Sequence, residues 1–394
     1  MIRYLTSGES HGPELTGILE GMPAGVPLSV EDVALQLARR QEGYGRGGRM
    51  AFEKDVPKFL SGVRFGKTSG GPIAMSLENR AYHKDAANWP VVMSVDGDGE
   101  GIEKITIPRP GHADLVGTQK YRFDDIRPVI ERSSARETGM RVACGAIARR
   151  FLKEVGIEIG GHVLRVGGVG YDSWDSVRNH ADALIETGAE SLYHKADESE
   201  VRCLDASLSA EMVEEIKKRR KEGNSLGGVY EIVVTGVPAG LGSYVHWDRK
   251  LDGQLAHVIM GTQAMKGVEI GLGFEAGALP GSMVHDEITY ENDTFKRRTN
   301  RAGGIEGGMS NGMPIIIRGA MKPIPTMLHP IDTVDIVTKK VVDTRYERSD
   351  VCALPRAVVV IENVIAPVIA NAFLQKFGGD SLEEVLERYS PGKS

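Results

Sequence analysis

The sequence contains an echo of itself. Residues 8–26, GESHGPELTGILEGMPAGV, align without gaps to residues 223–241, GNSLGGVYEIVVTGVPAGL. Identities include Gly8/Gly223, Ser10/Ser225, Gly12/Gly227, Gly21/Gly236, Pro23/Pro238 and Gly25/Gly240. A weaker echo pairs GGPIAMSLEN at 70–79 with NGMPIIIRGA at 311–320. A repeated segment of this kind constrains the whole chain, because each copy needs equivalent surroundings to bury the same pattern. The expectation is one body made of two pseudo-repeated halves, about 1–170 and 223–394. The more charged, glycine-poor stretch at about 171–222 reads as a peripheral elaboration. The bland alternative is shared turn chemistry in two Gly-rich strands.

Local patterns support a mixture of strands and helices, an α+β chain. Segments 15–19, 72–77, 229–235 and 314–318 are short apolar runs bounded by glycine, which reads as strand. Helical spacing of apolar residues predicts helices over 30–40, 136–155, 210–222, 248–260, 332–346 and 356–377. Forty-nine of the 394 residues are glycine, against a usual ~7%. That density implies many loops in which backbone approaches something closely. Three cysteines, Cys144, Cys203 and Cys352, lie far apart and argue against a disulfide framework, which fits a cytoplasmic setting. No apolar run approaches the ~18 residues of a membrane span, and the N-terminal segment lacks the apolar core of a secretory signal. A net charge of −6 disfavours a general nucleic-acid binder.

Three apparent motifs fail on spacing. Ser61-Gly-Val-Arg-Phe-Gly-Lys-Thr68 places its first glycine one residue late for a phosphate loop. Gly271-Leu-Gly-Phe-Glu-Ala276 is followed by Gly277, Pro280 and Gly281, so a tight turn fits better than a dinucleotide fingerprint. Asp96-Gly-Asp-Gly-Glu-Gly101 lacks the glutamate that a calcium loop needs at its twelfth position, which is Ile107. The histidines show no metal-ligand spacing, and no metal site is expected.

Other segments carry chemistry. Arg39, Arg40, Arg46 and Arg49 are interleaved with Gly43, Gly45, Gly47 and Gly48. Guanidinium forks converging from a Gly-rich loop suit an anion with several phosphate or carboxylate groups. Arg132-Ser-Ser-Ala-Arg-Glu-Thr138 precedes a predicted helix, where hydroxyls and free N–H groups make a phosphate site or an ordinary Ser134–Glu137 capping box. His11 and His112 sit in Gly-flanked loops, where core packing explains an imidazole less easily; proton transfer and an ordinary structural histidine are the two readings. Lys322-Pro-Ile-Pro-Thr326 is a rigid extended run able to line a flat ring.

These strings, in this order, resemble the chorismate synthase family. The resemblance covers GESHG at 8–12, RRQEGYGRGGRM at 39–50, RPGHAD at 109–114, RSSARET at 132–138, QAMKGVEIG at 263–271, GGIEGGMSNG at 303–312, KPIPT at 322–326 and RSDVCALPRA at 348–357. It implies a layer of helices sandwiched between two antiparallel sheets, assembled as a homotetramer. The implied reaction is the 1,4-anti elimination of phosphate from 5-enolpyruvylshikimate 3-phosphate to give chorismate. It requires reduced FMN and makes no net redox change.

The resemblance also assigns residues. Arg40, Arg46, Arg49 and Arg136 would hold the substrate, and Arg40 and Arg46 are linked to NADPH as well, a competing claim on one basic loop. His11 would protonate the departing phosphate. His112 would sit against the flavin N1 region. Asp350 would help take a proton from flavin N5. FMN contacts would come from Arg132, Ser133, Ser134, Gln263, Ala264, Gly307, Lys322, Pro323, Ile324, Pro325, Thr326 and Arg348. Ser133 stands where alanine is common in the family, a change that a backbone contact survives. No added reductase domain is visible, so an external reductant, with NADPH a candidate source, would supply the reduced flavin. Two readings compete: a net oxidoreductase consuming NADPH, and a non-enzymatic polyanion-binding protein using the 39–49 loop.

Overall fold

A computed structural model describes residues 1–45, 54–85, 87–344 and 350–389. In the first half, strands β1 (Arg3–Ser7) and β2 (Glu14–Glu20) lead to helix α1 (Val30–Gln41), then β3 (Pro57–Phe59) and β4 (Ile73–Glu78). Helices α2 (Asp114–Tyr121), α3 (Arg127–Ser133) and α4 (Thr138–Glu154) follow. The chain continues with β5 (Glu158–Val166), β6 (Val169–Gly170), α5 (Trp174–Thr187), α6 (Ala189–Asp197), α7 (Ala206–Lys221) and β7 (Gly228–Thr235). It ends with α8 (Leu251–Met260), β8 (Met265–Ile270), β9 (Ile315–Met321), the hairpin β10 (Asp332–Val334) and β11 (Val341–Asp343), and α9 (Leu354–Phe377).

The two main sheets are antiparallel, in the orders β1-β2-β4-β3 and β8-β9-β7-β5-β6. Set aside the short β6, and the second order reversed, β5-β7-β9-β8, repeats the first strand for strand. The helices keep the same places: α1 follows β2 as α8 follows β7, and α4 follows β4 as α9 follows β9. The longer echo falls on β2 and β7. The weaker one falls on β4 and β9, shifted by one residue: Ile73 pairs with Leu19 as Ile315 pairs with Val234, so Pro72 corresponds to Pro314 and not to Met313. Helices α5–α7 occupy the connection between β6 and β7. In the first half the matching connection, between β1 and β2, is the GESHG loop.

Helices fill the space between the sheets, and glycines set their close approach. A Cβ on Gly17 of β2 would lie 2.6 Å from Met140 Sδ of α4. One on Gly145 of α4 would lie 2.1 Å from the Asn363 carbonyl oxygen of α9, and one on Gly161 of β5 would lie 2.7 Å from Val358 of α9. The order is therefore first sheet, α4, α9, second sheet. Helix α9 is apolar on nearly all sides because both its faces are covered. Val358, Ile361, Ile365, Ile369 and Phe373 are fully buried, each contributing ~1.5–3 kcal/mol over an exposed position. Contrary to the apolar-run expectation, α9 is long and apolar enough to cross a membrane, but the apolar window is 83% buried within the protein.

Over its described residues, the helix expected at 332–346 is instead the hairpin β10/β11. Asp335 explains the difference. Its Oδ1 accepts the Val337 and Thr338 backbone N–H groups at 2.8 and 2.7 Å, and Lys339 takes a left-handed φ of 58°. Those local bonds offer the backbone an alternative to a helix. They also hold the Asp335 carboxyl down at about 2. The remaining helix expectations fall on helices, with 136–155 beginning as a 3₁₀ turn at Ala135–Glu137 before α4. The segment at 61–68 is a tiny hairpin. Gly271 and Gly273 are turn residues with positive φ, followed by a short 3₁₀ helix, Gly273–Ala278.

Candidate active site

The C-terminal turn of α1 delivers Arg40 to the start of α4. Its Nε and Nη2 donate to Thr138 Oγ1 at 3.1 and 2.9 Å, and Nη2 donates to the Ala135 carbonyl at 3.0 Å. Arg136 comes to the same place from the 3₁₀ turn, donating to Asn79 Oδ1 and Asp55 Oδ2, both at 2.8 Å. Asp55 Oδ2 also lies 3.8 Å from Arg40 Nη1, so one buried carboxylate holds two buried arginines. Arg136 Nη2 is buried with no hydrogen-bond partner among the described residues. A bound anion would satisfy it. Arg39 departs from the expected anion cluster: it reaches Asp197 at 2.6 Å and Glu362 at 2.5 Å in the interior and lies over the Tyr193 ring. Arg46, Arg49 and Arg348 lie outside the described residues.

The 132–138 segment straddles two helices rather than preceding one. Arg132 and Ser133 end α3, and Ser133 Oγ donates back to the Val129 carbonyl at 2.6 Å. Arg132 donates to the Thr6 and Gly8 carbonyls at 2.9 and 3.1 Å, tying down the GESHG loop. Ser134 Oγ accepts the Arg136 N–H at 3.2 Å and donates to Ser10 Oγ at 3.1 Å. The Ser134–Glu137 capping box does not form. Glu137 turns away to accept from Thr6, Arg141 and Gln263 at 2.7–3.0 Å. Burial pushes its carboxyl up, but those hydrogen bonds more than offset this and hold it below the ordinary range.

His11 lies on α3. Its Nδ1 is 2.9 Å from Glu131 Oε1, its backbone N–H donates to Glu131 Oε2 at 2.8 Å, and its ring stacks on Trp89 at 3.9 Å. His112 is held from its own loop. Its Nδ1 bonds Asp114 Oδ1 and lies 3.2 Å from Arg109 Nη2, while Arg109 Nε donates to Asp114 Oδ2 at 2.8 Å. Burial alone would raise the Asp114 carboxyl. The His112 and Arg109 bonds outweigh it and hold Asp114 well below the usual carboxylate range.

The 322–326 run meets this loop. Lys322 Nζ donates to the Gly111 carbonyl, and its backbone N–H donates to the Ala264 carbonyl at 3.0 Å. Burial, aided by Lys266, lowers the Lys322 ammonium. Ser225 Oγ donates to the Ile324 carbonyl at 2.5 Å, and neighbouring Leu226 pairs with Val351 and Cys352. Val351 N–H donates to the Gly45 carbonyl at 2.9 Å. Asp350 forms an ion pair with Arg356. His112's loop and Ala264 thus meet at Lys322, Ile324 is linked through Ser225 and Leu226 to the segment that carries Asp350, and Gln263 reaches Glu137 beside Arg136. Gly307 is held elsewhere, in a hairpin whose Gly308 carbonyl accepts from Leu251 at the start of α8.

A family model described as chorismate synthase matches residues 2–374. The chain belongs to the chorismate synthase family. It is 54% identical over 391 residues to chorismate synthase of Salinibacter ruber, covering 98% of this chain and 97% of that one. It is 55% identical over 386 residues to chorismate synthase of Syntrophotalea carbinolica, with 98% and 96% covered. A crystal structure of chorismate synthase superposes with a TM-score of 0.78 at 41% identity, over 98% of this chain and 96% of that one. The chain is therefore an enzyme, a carbon–oxygen lyase acting on phosphates, with a small-molecule substrate in aromatic biosynthesis. This sets aside the non-enzymatic polyanion-binding reading. The chorismate synthase family requires reduced flavin in general.

The residues present fit such a group. Gln263 keeps its buried Oε1 without a partner among the described residues, an acceptor for a ring N–H. Ala264 beside it takes a φ of +68°, turning its backbone toward the 322–326 run. Sequence reasoning missed Asp55, Asn79, Trp89, Asp114 and Glu131 as site residues. Asp114 and Glu131 had a signal, standing inside or beside a recognised string. Asp55, Asn79 and Trp89 had none and are brought in by the fold.

Proposed function

We propose that this chain converts 5-enolpyruvylshikimate 3-phosphate to chorismate and inorganic phosphate by 1,4-anti elimination. It would do so with reduced FMN, without net redox change, as the last common step of aromatic amino-acid biosynthesis. The observation that carries this reading is the Asp55-held pair Arg40 and Arg136, with an unsatisfied buried guanidinium nitrogen, inside a chain so close to chorismate synthases. A polyanionic substrate is what such a pair suits.

Arg40 and Arg136 bind and orient the substrate anions, with Arg46 and Arg49 completing the basic loop. His11 gives a proton from Nε2 to the departing phosphate oxygen. His112 holds a proton at its ring for the flavin side of the site, and the Asp350 carboxylate accepts one. Arg132, Ser133, Ser134, Gln263, Ala264, Lys322–Thr326 and Arg348 would hold the FMN. Bound there, the reduced flavin supplies electron density to the centre left electron-poor by phosphate loss. The protein's share is orientation and exclusion of water. Assembly is read as a homotetramer in the cytoplasm, with an external reductant, and the two halves as pseudo-repeats, which the matching strand orders support.

The deciding experiment is anaerobic turnover of 5-enolpyruvylshikimate 3-phosphate with dithionite-reduced FMN, following chorismate and phosphate together. Equimolar products with the flavin still reduced are expected. Consumption of one NADPH per product in a sustained assay would replace this reading with a net oxidoreductase.

A further inference from the structure

We propose that Glu131 is a positioning residue that fixes the proton on His11 Nδ1 and so makes Nε2 the nitrogen that serves the substrate. The inference rests on the reading of His11 as proton donor. Its geometry is specific. Glu131 lies in α3 with its side chain 2% exposed, and both its oxygens face His11. Oε2 accepts the His11 backbone N–H at 2.8 Å, and Oε1 lies 2.9 Å from Nδ1. A backbone N–H can only donate, so that oxygen's role is fixed. A carboxylate can only accept at the other oxygen, so Nδ1 must carry hydrogen. Trp89, stacked at 3.9 Å and 12° between planes, removes the remaining freedom of ring rotation. The Glu131 backbone also joins in: its carbonyl accepts the Ser10 N–H at 3.1 Å.

Two charged groups beside Glu131 bear on the pair. Arg127 Nη1 lies 3.8 Å from Glu131 Oε1 and balances its charge. The Glu9 carboxyl is pushed up by burial and by Glu131, which outweigh the opposing pull of Arg132. The chemistry then balances simply. Imidazolium His11 gives its Nε2 proton to the phosphate oxygen as the carbon–oxygen bond breaks, and the bond's electron pair leaves with phosphate. Neutral His11 remains, with hydrogen on Nδ1, the tautomer that Glu131 accepts from. The carboxylate accepts from Nδ1 before and after the transfer.

Glu131→Gln tests this without changing shape. The amide oxygen must face the His11 backbone N–H, which places the amide NH₂ against Nδ1. The hydrogen of the neutral ring is then driven to Nε2. We expect kcat to fall ~10-fold or more, a part of the ~10²-fold or larger general-acid contribution that the tautomer serves, with KM nearly unchanged. Nitrogen-15 spectra of histidine-labelled protein, with the His11 signals assigned by His11→Ala, should show the neutral ring protonated on Nδ1 in the wild type and on Nε2 in the variant. Glu131→Asp, which keeps two acceptors, should recover part of kcat. A purely structural Glu131 would lower the melting temperature without moving the tautomer. A wild-type ring already protonated on Nε2, or Glu131→Gln turnover equal to wild type while His11→Ala is slow, overturns the proposal alone. Undiminished turnover of His11→Ala overturns the proton-donor reading and the proposal with it.

Discussion

Arg39 and Arg40 are consecutive residues of α1, yet their guanidinium groups serve different parts of the molecule. Arg39 pairs with Glu362 of α9 and Asp197 of α6, whereas Arg40 bonds Thr138 and the Ala135 carbonyl at the start of α4. Residues one apart on a helix point about 100° apart, so a basic run at a helix end divides between interior and site. Arg39→Ala takes one of two arginines from each carboxylate, leaving Arg202 on Asp197 and Arg149 on Glu362, and should cost on the order of 2–3 kcal/mol, read as a lower melting temperature. Its KM for substrate should stay within a few-fold of wild type in the folded enzyme. Arg40→Ala should raise that KM ~10-fold or more, as loss of a charge-assisted contact does, with the smaller loss of melting temperature. The opposite split would exchange the two roles.

His11→Ala and His112→Ala should each lower turnover by ~10²-fold or more, the usual loss for a general acid. Flavin and substrate should still bind together, seen as a spectral change of bound flavin. Turnover near wild type would remove the residue concerned from its role.

The pieces that local chemistry controls were legible: the glycine-bounded strands, the long helices and the two histidine loops. What α9 looks like in sequence is a long helix, and only the packing of Gly145 and Gly161 against it shows which layers it joins. The 332–346 stretch misled because its apolar spacing suits a helix while Asp335 captures the backbone in a turn. The arginine cluster was legible as basic, but its division between core and site depends on Asp55, Asp197 and Glu362. Those three come from distant parts of the chain and carry no local mark.

Asp350→Ala should lower turnover ~10²-fold by loss of a proton acceptor and should leave Arg356 without its carboxylate. Flavin binding, followed by fluorescence quenching, should be retained. If turnover is retained instead and only stability falls, Asp350 is an anchor for Arg356 and nothing more.

Gly145→Ala probes the helix layer itself. The added methyl would meet the Asn363 carbonyl at 2.1 Å and the Asn363 Cβ at 2.7 Å. Backbone cannot yield as a side-chain tip can, so α4 and α9 must separate. Overpacking of this kind costs ~1–3 kcal/mol, which a urea titration would read as a lower midpoint with an unchanged slope. Ala at this position with wild-type stability would mean that the two helices are not in the contact described.

Asp114 gives the clearest pH dependence. Its side chain is fully buried, held by Arg109 and His112. Despite burial, which works the other way, those two partners depress its carboxyl below the ordinary value. In the unfolded chain it titrates near ~3.9. A depressed folded value means that the unfolded state takes up the proton first as pH falls. The stabilisation is therefore complete above about pH 5 and drains away below about pH 4, through the depressed folded value. Asp114→Asn removes this contribution and leaves Arg109 without its buried partner, so it should cost on the order of 3 kcal/mol at pH 7. The gap between wild type and variant, measured by denaturant unfolding, should be flat from pH 7 to 5 and should narrow steadily below pH 4. A gap that stays constant down to pH 3 would mean that the carboxylate's charge is not what the loop depends on. His112 would then be held by shape alone.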